Sequence, residues 1–420
     1  MGPSWYWMPD VFERFFSCFG KKVSDYYLLE RLDPSYRIYW PDCETDIPAD
    51  YSEIKKLFES IEKGSGPRLD KFLEEAEYKY EVGMKDLAFK PSLSVNDFLN
   101  WNLAKGILKL DVFSSMKNHI RKYFTESKLI QLLEFPVLFL GAVPADIPAL
   151  YSLMNYADLK LGTWYPKKGM YKIVEAMKNL AEEQGARFLF NSVVTEIVTD
   201  SDKVTGITFI ENGISKILNA DVVIGAGDYH HMETLIPQSL RNYSENYWQS
   251  RTMAPSCLIY YVGINKKLKN IRHHNLFFDS DFNVHSHEIY EDARWPEDPL
   301  FYVCAPSVTD DSVAPKDHEN LFFLVPVASG LKHDTEELRL AYFEKIRTRF
   351  ESRIGQTIKD AIVYYRSYSV SDFEMDYNAF KGNAYGLANT LMQTAIMKPA
   401  IRNRKLKNLY SHHSQPAPVR

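Results

Sequence analysis

The stretch from residue 166 to residue 227 limits the possible folds more than any other part of the chain. Met170, Ile173, Val174, Met177, Leu180 and Ala181 recur on one face of a helix, and Gly185 is placed to end it. Strands are expected at 187–190 and 193–198. Two more, at 204–210 and 214–218, are joined by Glu211-Asn212-Gly213, and Asn-Gly is the strongest short-range hairpin signal. Asp221-Val222-Val223-Ile224-Gly225-Ala226-Gly227 then reads as a buried strand that runs into a glycine turn. Helix, strand, hairpin meander and return strand predict a nucleotide-binding α/β sheet with a β crossover. Gly225-Ala226-Gly227 is not a full dinucleotide fingerprint. His230 stands where the third glycine belongs, and no acidic residue follows at the required distance. A strand end that passes close to a cofactor is the better reading, since glycine permits near approach of the backbone.

The flanking segments extend this pattern. Asp10 is placed to cap a helix over 11–19 with Val11, Phe15 and Phe19 on one stripe, and Gly20 stops it. Asp33-Pro34 turns the chain into an aromatic strand, Tyr36-Arg37-Ile38-Tyr39-Trp40. Gly64-Ser65-Gly66-Pro67 reads as a loop, with charged helical segments after it as far as Phe124. Further strands are expected at 257–262, 300–304, 321–327 and 361–365. Leu338, Tyr342, Ile346 and Phe350 mark a long amphipathic helix before the last of them. The expected class is α+β (α/β): one sheet of nucleotide-binding type and a second, mixed sheet with helices packed on it, in two intertwined parts.

Composition excludes several functions. Net charge is −5 over 420 residues, without the basic excess of a general nucleic-acid binder, so no nucleic-acid partner is expected. The 25 Phe, 27 Tyr and 7 Trp leave open either a large core or a tunnel for a long apolar ligand. Cys18, Cys43, Cys257 and Cys304 form no Cys-x-x-Cys pair, so a reducing intracellular setting is expected. The first 16 residues carry Asp10, Glu13 and Arg14 and do not read as a signal peptide. Residues 129–154 are apolar but broken by Glu134, Pro136, Gly141, Pro144, Asp146 and Pro148; such a segment can lie on a membrane without crossing it. His230-His231, His273-His274, His412-His413 and His285-x-His287 never form His-Glu-x-x-His, so hydrogen-bonded or surface histidines are expected and no metal. Neither a Gly-x-Ser-x-Gly elbow nor a Gly-Lys-Ser/Thr phosphate loop occurs, and hydrolase and phosphotransferase readings have no support. Glu134, set among Leu132, Leu133, Phe135 and Val137, is expected to be desolvated with a raised pKa, either as an acid or base or as the partner of a cation.

Four longer strings change the picture. Gly2-Pro3-Ser4-Trp5-Tyr6-Trp7-Met8-Pro9-Asp10, the run from Leu133 to Pro166, Ala305-Pro306-Ser307-Val308-Thr309-Asp310 with Val313-Ala314-Pro315, and the run from Tyr377 to Leu391 resemble the bacterial-type phytoene desaturases of carotenoid synthesis. The resemblance spans residues 2–410. It implies an FAD enzyme, related in fold to the amine oxidases, that takes hydrogen from saturated C–C bonds of a C40 polyene precursor at a membrane surface. Phytoene desaturation towards lycopene is the implied reaction, by hydride transfer to flavin, and a cytoplasmic, peripheral membrane location is implied with it. An inert fragment, a desaturase of hydroxylated carotenoids and a polyene-binding protein without catalysis are the alternatives.

The resemblance also assigns regions and residues. An FAD-binding Rossmann-like domain would comprise 1–12, 166–250 and 395–420, and a substrate-binding, membrane-associating domain 13–165 and 251–394. Gly2, Pro3 and Ser4 would border the flavin ring, with Gly169 and Met170 nearby, Val194 at the adenine, and Ala226 and Gly227 at the cofactor. Trp5, Tyr229, His230, Lys381, Gly382, Asn383 and Gly386 would line the space for the polyene, and Glu134 and Asp228 are the catalytic candidates. The strand, Gly-x-Gly-x-x-Gly loop and helix that open such enzymes lie before the Gly-Pro-Ser string, and a glycine-rich segment follows Asn408-Leu409-Tyr410 in them. Neither is in this sequence, and a gene fragment of low solubility, with exposed apolar sheet edges, is the corresponding expectation. Lys168 stands where the family has glycine, and Gly227 where a small residue such as alanine is usual.

Overall fold

The computed structural model describes residues 4–87, 111, 114–138, 141–393 and 397–411. Helices of six residues or more, and the strands, are labelled in chain order. The first third holds α1 (Pro9–Ser17), β1 (Leu29–Arg31), β2 (Tyr36–Tyr39), β3 (Glu44–Ile47), α2 (Tyr51–Ile61), α3 (Ser65–Tyr80), α4 (Met116–Arg121) and α5 (Ser127–Leu138). The middle holds β4 (Trp164–Pro166), α6 (Tyr171–Glu183), β5 (Ser192–Asp200), β6 (Lys203–Glu211), β7 (Ile214–Asn219), β8 (Val223–Gly225) and α7 (Tyr229–Thr234). The remainder holds β9 (Ser256–Ile264), β10 (His274–Phe277), α8 (Phe282–Tyr290), β11 (Phe301–Cys304), β12 (Glu319–Val327), α9 (Glu336–Ile354), β13 (Ile362–Tyr368), α10 (Val370–Tyr377) and β14 (Leu409–Ser411).

Seven strands form the main sheet, in the order β13-β9-β12-β11-β10-β2-β3, and only β10 and β2 run parallel. Alternation along each strand sends successive side chains to opposite faces. Leu258, Tyr260, Phe277, Phe301 and Phe323 pack on Tyr342, Phe343, Ile346 and Phe350 of α9. Cys257, Ile259, Leu276, Tyr302 and Leu324 point the other way, into a core shared with α2, α3, α4 and α5. The predicted amphipathic helix is thus α9, capped by Thr335 at its start and by left-handed Gly355 at its end.

The meander β5-β6-β7 turns at Asn212 and Gly213, both with positive φ, as Asn-Gly predicts. Beside it β8 pairs in parallel with β14, and Ile197, Val204, Ile236, Leu406 and Leu409 form a small core that joins meander, α7 and β14.

Several local expectations need correction. The Gly64–Pro67 segment is not a loop, since α3 begins at Ser65. Left-handed Gly64 precedes it, and the Glu59 carboxylate accepts the N–H groups of Gly64 and Gly66 at 2.7 and 3.0 Å. Pro67 falls in the first turn, where its missing N–H costs nothing. Asp10 is not a cap; α1 begins at Pro9, and the Asp10 carboxylate accepts the Tyr80 hydroxyl at 2.8 Å. The buried stripe of α1 is Phe12 and Phe16, while Phe15 and Phe19 are exposed. No strand forms at 187–190, where Phe188, Leu189 and Phe190 are exposed. The return strand β8 is not buried: Val222 and Ile224 are 52% and 69% exposed. Val174 and Met177 of α6 are exposed too, so only Ile173, Ala176 and Leu180 form its inner stripe. Leu129, Leu132, Leu133, Phe135 and Val137, by contrast, are core residues. Among the described residues no helix is long and apolar enough to cross a membrane.

Candidate active site

Two cavities flank the loop that follows α10. The first, of about 430 Å³, forms where β8 ends and α7 begins. A Cβ at Gly225 would press on Met232 of α7 at 2.7 Å, so glycine lets helix and strand end close together. Asp228 then caps α7. Its Oδ1 accepts the His231 N–H and its Oδ2 the Phe380 N–H, each at 3.2 Å. Each oxygen thus accepts one backbone N–H, and Asp228 caps α7 from the cavity wall.

Tyr229, His230 and Gly386 line this cavity with Asp228 and do not line the second one described below. The Tyr229 hydroxyl donates to the Ala400 carbonyl at 2.8 Å, and His230 Nε2 meets Glu245 at 3.0 Å. Lys381, Gly382 and Asn383 are not on the wall; they shape the loop that brings Phe380 and Gly386 to it. The Lys381 carbonyl accepts the Gly330 N–H at 2.7 Å, and Asn383 Nδ2 donates to the Phe380 carbonyl at 2.7 Å. Gly382 has φ +59 and its Cβ would overlap the Val370 carbonyl at 2.4 Å, so no other residue fits. Trp248, Met253, Phe380, Leu387, Lys398 and Pro399 complete the wall and were missed by the sequence reading. Lys398 lies half-buried in the cavity, forms no ion pair within 4.0 Å among the described residues, and burial pulls its pKa down to about 8. A lysine in an unpredicted loop carries no signal of this in sequence.

The second cavity, of about 680 Å³, lies between the inner face of β9–β12 and the helices α5 and α8. Phe135, Leu276, Phe278, Ile289, Leu324 and Tyr385 give it apolar walls. His285 is on the wall but fully occupied, accepting the Leu300 N–H through Nδ1 at 2.8 Å and donating from Nε2 to the Pro326 carbonyl at 3.0 Å. Its pKa falls to about 4 through burial, so it is neutral. Trp5 is not itself on the wall but stands one layer behind it. Its ring stacks on His274 at 4.1 Å and lies 5.6 and 6.1 Å from Tyr302 and Phe135, two wall residues. Ser4 hydrogen-bonds the same Tyr302.

Glu134 lines neither cavity. It is buried on α5, bonded to Arg121 of α4, and burial raises its pKa against the pull of that cation. This is the cation-paired arrangement, not that of a base open to a ligand. His273 and His274 are hydrogen-bonded core histidines, to Thr309 at 2.9 Å and to Tyr302 at 2.6 Å. Their ring nitrogens and the Cys304 sulfur lie within 4.8 Å of one another, closer than adjacent histidines were expected to gather.

The remaining cofactor candidates sit on three elements. Gly169, with φ +97, and Met170 lead into α6; Val194 is on β5, opposite Phe209; Ala226 and Gly227 are exposed between β8 and α7. The small core noted above holds the last three on one body. Gly2 and Pro3 lie outside the described residues.

The site thus combines a glycine-edged strand end beside one cavity with an apolar cavity against the main sheet. Residues 17–415 match the family described as flavin containing amine oxidoreductase. The chain belongs to that family. A carotenoid 3,4-desaturase of Haloarcula japonica is 39% identical over 413 residues, which span 98% of this chain and 82% of that protein. The zeta-carotene-forming phytoene desaturase of Myxococcus xanthus is 29% identical over 421 residues, 98% of this chain and 79% of that one. Among solved structures, an oxidoreductase from Methanosarcina mazei superposes with a TM-score of 0.56 at 12% identity, covering 98% of this chain and 81% of its own. Cyclohexylamine oxidase from Brevibacterium oxydans does so with 0.51 at 12%, covering 96% and 79%. At that identity the structures show a common fold. The family member described here is accordingly a carotenoid desaturase by kinship, an FAD-dependent oxidoreductase that acts on CH–CH groups.

Its residues fit an FAD. The backbone at Ala226 and Gly227 is open beside the first cavity, and a Cβ at Gly169 would meet nothing closer than Val313 at 3.7 Å, so space remains there.

Proposed function

We propose that the oxidoreductase desaturates the 3,4 bond of a carotenoid whose chain lies in the second cavity. The apolar space of about 680 Å³ against the main sheet carries this reading. An unactivated C–H bond offers no handle to side-chain acid–base chemistry, and bound FAD supplies the hydride acceptor. The chain's own part is to exclude water, through Phe135, Leu276, Phe278 and Leu324, and to hold one CH₂–CH₂ pair in place. Ser4, Gly169 and Met170 would border the ring, Val194 the adenine, and Ala226 and Gly227 the strand end beside it. On this reading 13–165 and 251–394 hold the polyene and 1–12, 166–250 and 395–420 the flavin. Choice of the 3,4 bond rests on the 39% identity to a protein of that name, against 29% to the phytoene desaturase.

Phytoene desaturation towards lycopene is the second reading, favoured by the Myxococcus relative. Flavin-loaded protein incubated with liposomes that carry either phytoene or an already conjugated carotenoid separates the two. Each added double bond moves the product's absorption to longer wavelength, so extraction and spectra identify the substrate. Product from phytoene alone overturns the 3,4 assignment, and product from neither overturns both. A peripheral position at the membrane surface follows from where such substrates dissolve, and flotation of the protein with liposomes tests it.

A further inference from the structure

His273, His274 and Cys304 gather in the core at 5%, 0% and 4% exposure. His274 opens β10 and faces Cys304, the last residue of β11, across the antiparallel pair. One ring nitrogen of each histidine and the Cys304 sulfur lie within 4.8 Å of one another. Both rings are held through Nδ1, His273 by the Thr309 hydroxyl at 2.9 Å and His274 by the Tyr302 hydroxyl at 2.6 Å. Nε2 is then the second donor atom of each ring, and Nε2 of His274 is buried without a hydrogen-bond partner. An orphaned polar atom in a core is costly unless a ligand completes it. Metal-binding histidines are held in just this manner, with one ring nitrogen on the ion and the other on a hydrogen-bonding group. Trp5, stacked on His274 at 4.1 Å, fixes the plane of that ring.

The donor set selects the ion. Two imidazoles and a thiolate suit copper and zinc. Zinc takes four protein ligands, or three and a water. No fourth histidine, cysteine or carboxylate joins the group among the described residues. Asp310, whose charge reaches His273, is occupied: Oδ1 accepts the Ser312 N–H and hydroxyl, and Oδ2 the Lys168 N–H and the Tyr165 hydroxyl. A univalent ion is also neutralised by one thiolate, whereas a divalent one would leave a positive charge in a buried place.

We propose that His273 and His274, through Nε2, and Cys304, through its sulfur, bind one copper(I) ion. As the Cu–S bond forms, the Cys304 thiol gives its proton to solvent, and no oxidation state changes. The ion ties β10 to β11 and, through His274, holds Tyr302 on the wall of the second cavity. The inference does not depend on which carotenoid is the substrate.

The test is anaerobic titration of the full chain with copper(I) against a coloured chelator. Cys18 and Cys43, both exposed, are replaced by serine in every sample so that they do not compete. One equivalent of copper is expected to leave the chelator, and X-ray absorption at the copper edge should show one sulfur and two nitrogen neighbours. Cys304→Ser should weaken binding at least about 100-fold, and Tyr302→Phe, which frees Nδ1 of His274, about 10–100-fold. His274→Gln serves if the serine variant does not fold. No transfer of copper to the protein overturns the proposal, and so does equal affinity in the folded serine or glutamine variant. Uptake of Zn²⁺ in preference to copper(I) overturns the choice of ion.

Discussion

The carboxylate of Asp228 accepts the backbone N–H of Phe380 across 3.2 Å and 152 positions of sequence. Through this one bond the start of α7 is tied to the loop after α10, and the first cavity is closed on that side. The same carboxylate caps α7 through the His231 N–H. This double duty holds the carboxylate beside the cavity.

Asp228→Asn keeps one acceptor oxygen and should leave kcat within about tenfold of wild type, whereas removal of a general base costs ~10²–10⁴. Asp228→Ala should lower unfolding stability by ~1 kcal/mol or more through the lost cap. Steady-state kinetics and urea unfolding check both. A fall of a thousandfold in the asparagine variant would restore Asp228 as a catalytic residue.

Asp158, buried at 3% exposure, accepts the Tyr36 hydroxyl at 2.7 Å, and burial raises its pKa from 3.8 to about 7. A carboxyl with a raised folded pKa binds its proton more tightly in the native state. The native state therefore loses stability as pH rises from about 4 through about 7, and below that window the loss is absent. The shift corresponds to roughly 4 kcal/mol at most, at 1.36 kcal/mol per pKa unit. Asp158→Asn retains a partner for Tyr36 and should flatten the dependence. Urea midpoints at pH 5 and pH 8 measure it, and equal slopes in both proteins would refute the assignment.

Ile289 of α8 lies on the wall of the second cavity. Ile289→Trp puts a larger side chain into that space and should weaken polyene binding at least about tenfold, the order expected when a methylene-sized misfit of 1–3 kcal/mol is imposed. The flavin absorption band should not change, because no cofactor candidate touches α8. Fluorescence quenching by the polyene reads the first quantity and a visible spectrum the second. Undiminished polyene binding would place the substrate elsewhere.

Lys168 holds φ +70, a conformation that side chains with a Cβ adopt at a cost, and its N–H donates to Asp310 at 2.7 Å. The family's glycine at this place has a physical reason. Lys168→Gly should raise stability by up to ~1 kcal/mol, less whatever glycine adds to the freedom of the unfolded chain. Chemical denaturation decides it; a destabilised variant would show that the lysine side chain contributes more than its backbone strain costs.

Strand and helix positions were largely legible, because periodicity reports local burial. The Asn212-Gly213 hairpin, α9 and the four strands of the second half stand where the pattern puts them. The failures have particular causes. Val222 and Ile224 read as buried because apolar runs normally are, yet nothing in the run says whether a neighbour covers it. Gly64 to Pro67 read as a loop, while in the structure Glu59 supplies the cap that lets a helix start there. Of the residues the motifs singled out, Tyr229, His230 and Gly386 line the first cavity. Lys381, Gly382 and Asn383, from the same motif, turned out to build the loop behind the wall.

The sequence by itself determined much of the order of elements and the kinship to flavin-dependent desaturases. Those depend on neighbours in the chain, where spacing and side-chain type act directly. Tertiary structure alone decided the surroundings of charged groups: that Glu134 meets Arg121, that each Asp228 oxygen accepts a backbone N–H, and that Lys398 meets no carboxylate within 4.0 Å among the described residues. A charge acts through the partners and the water around it, and these are fixed only when separate helices and loops pack against one another.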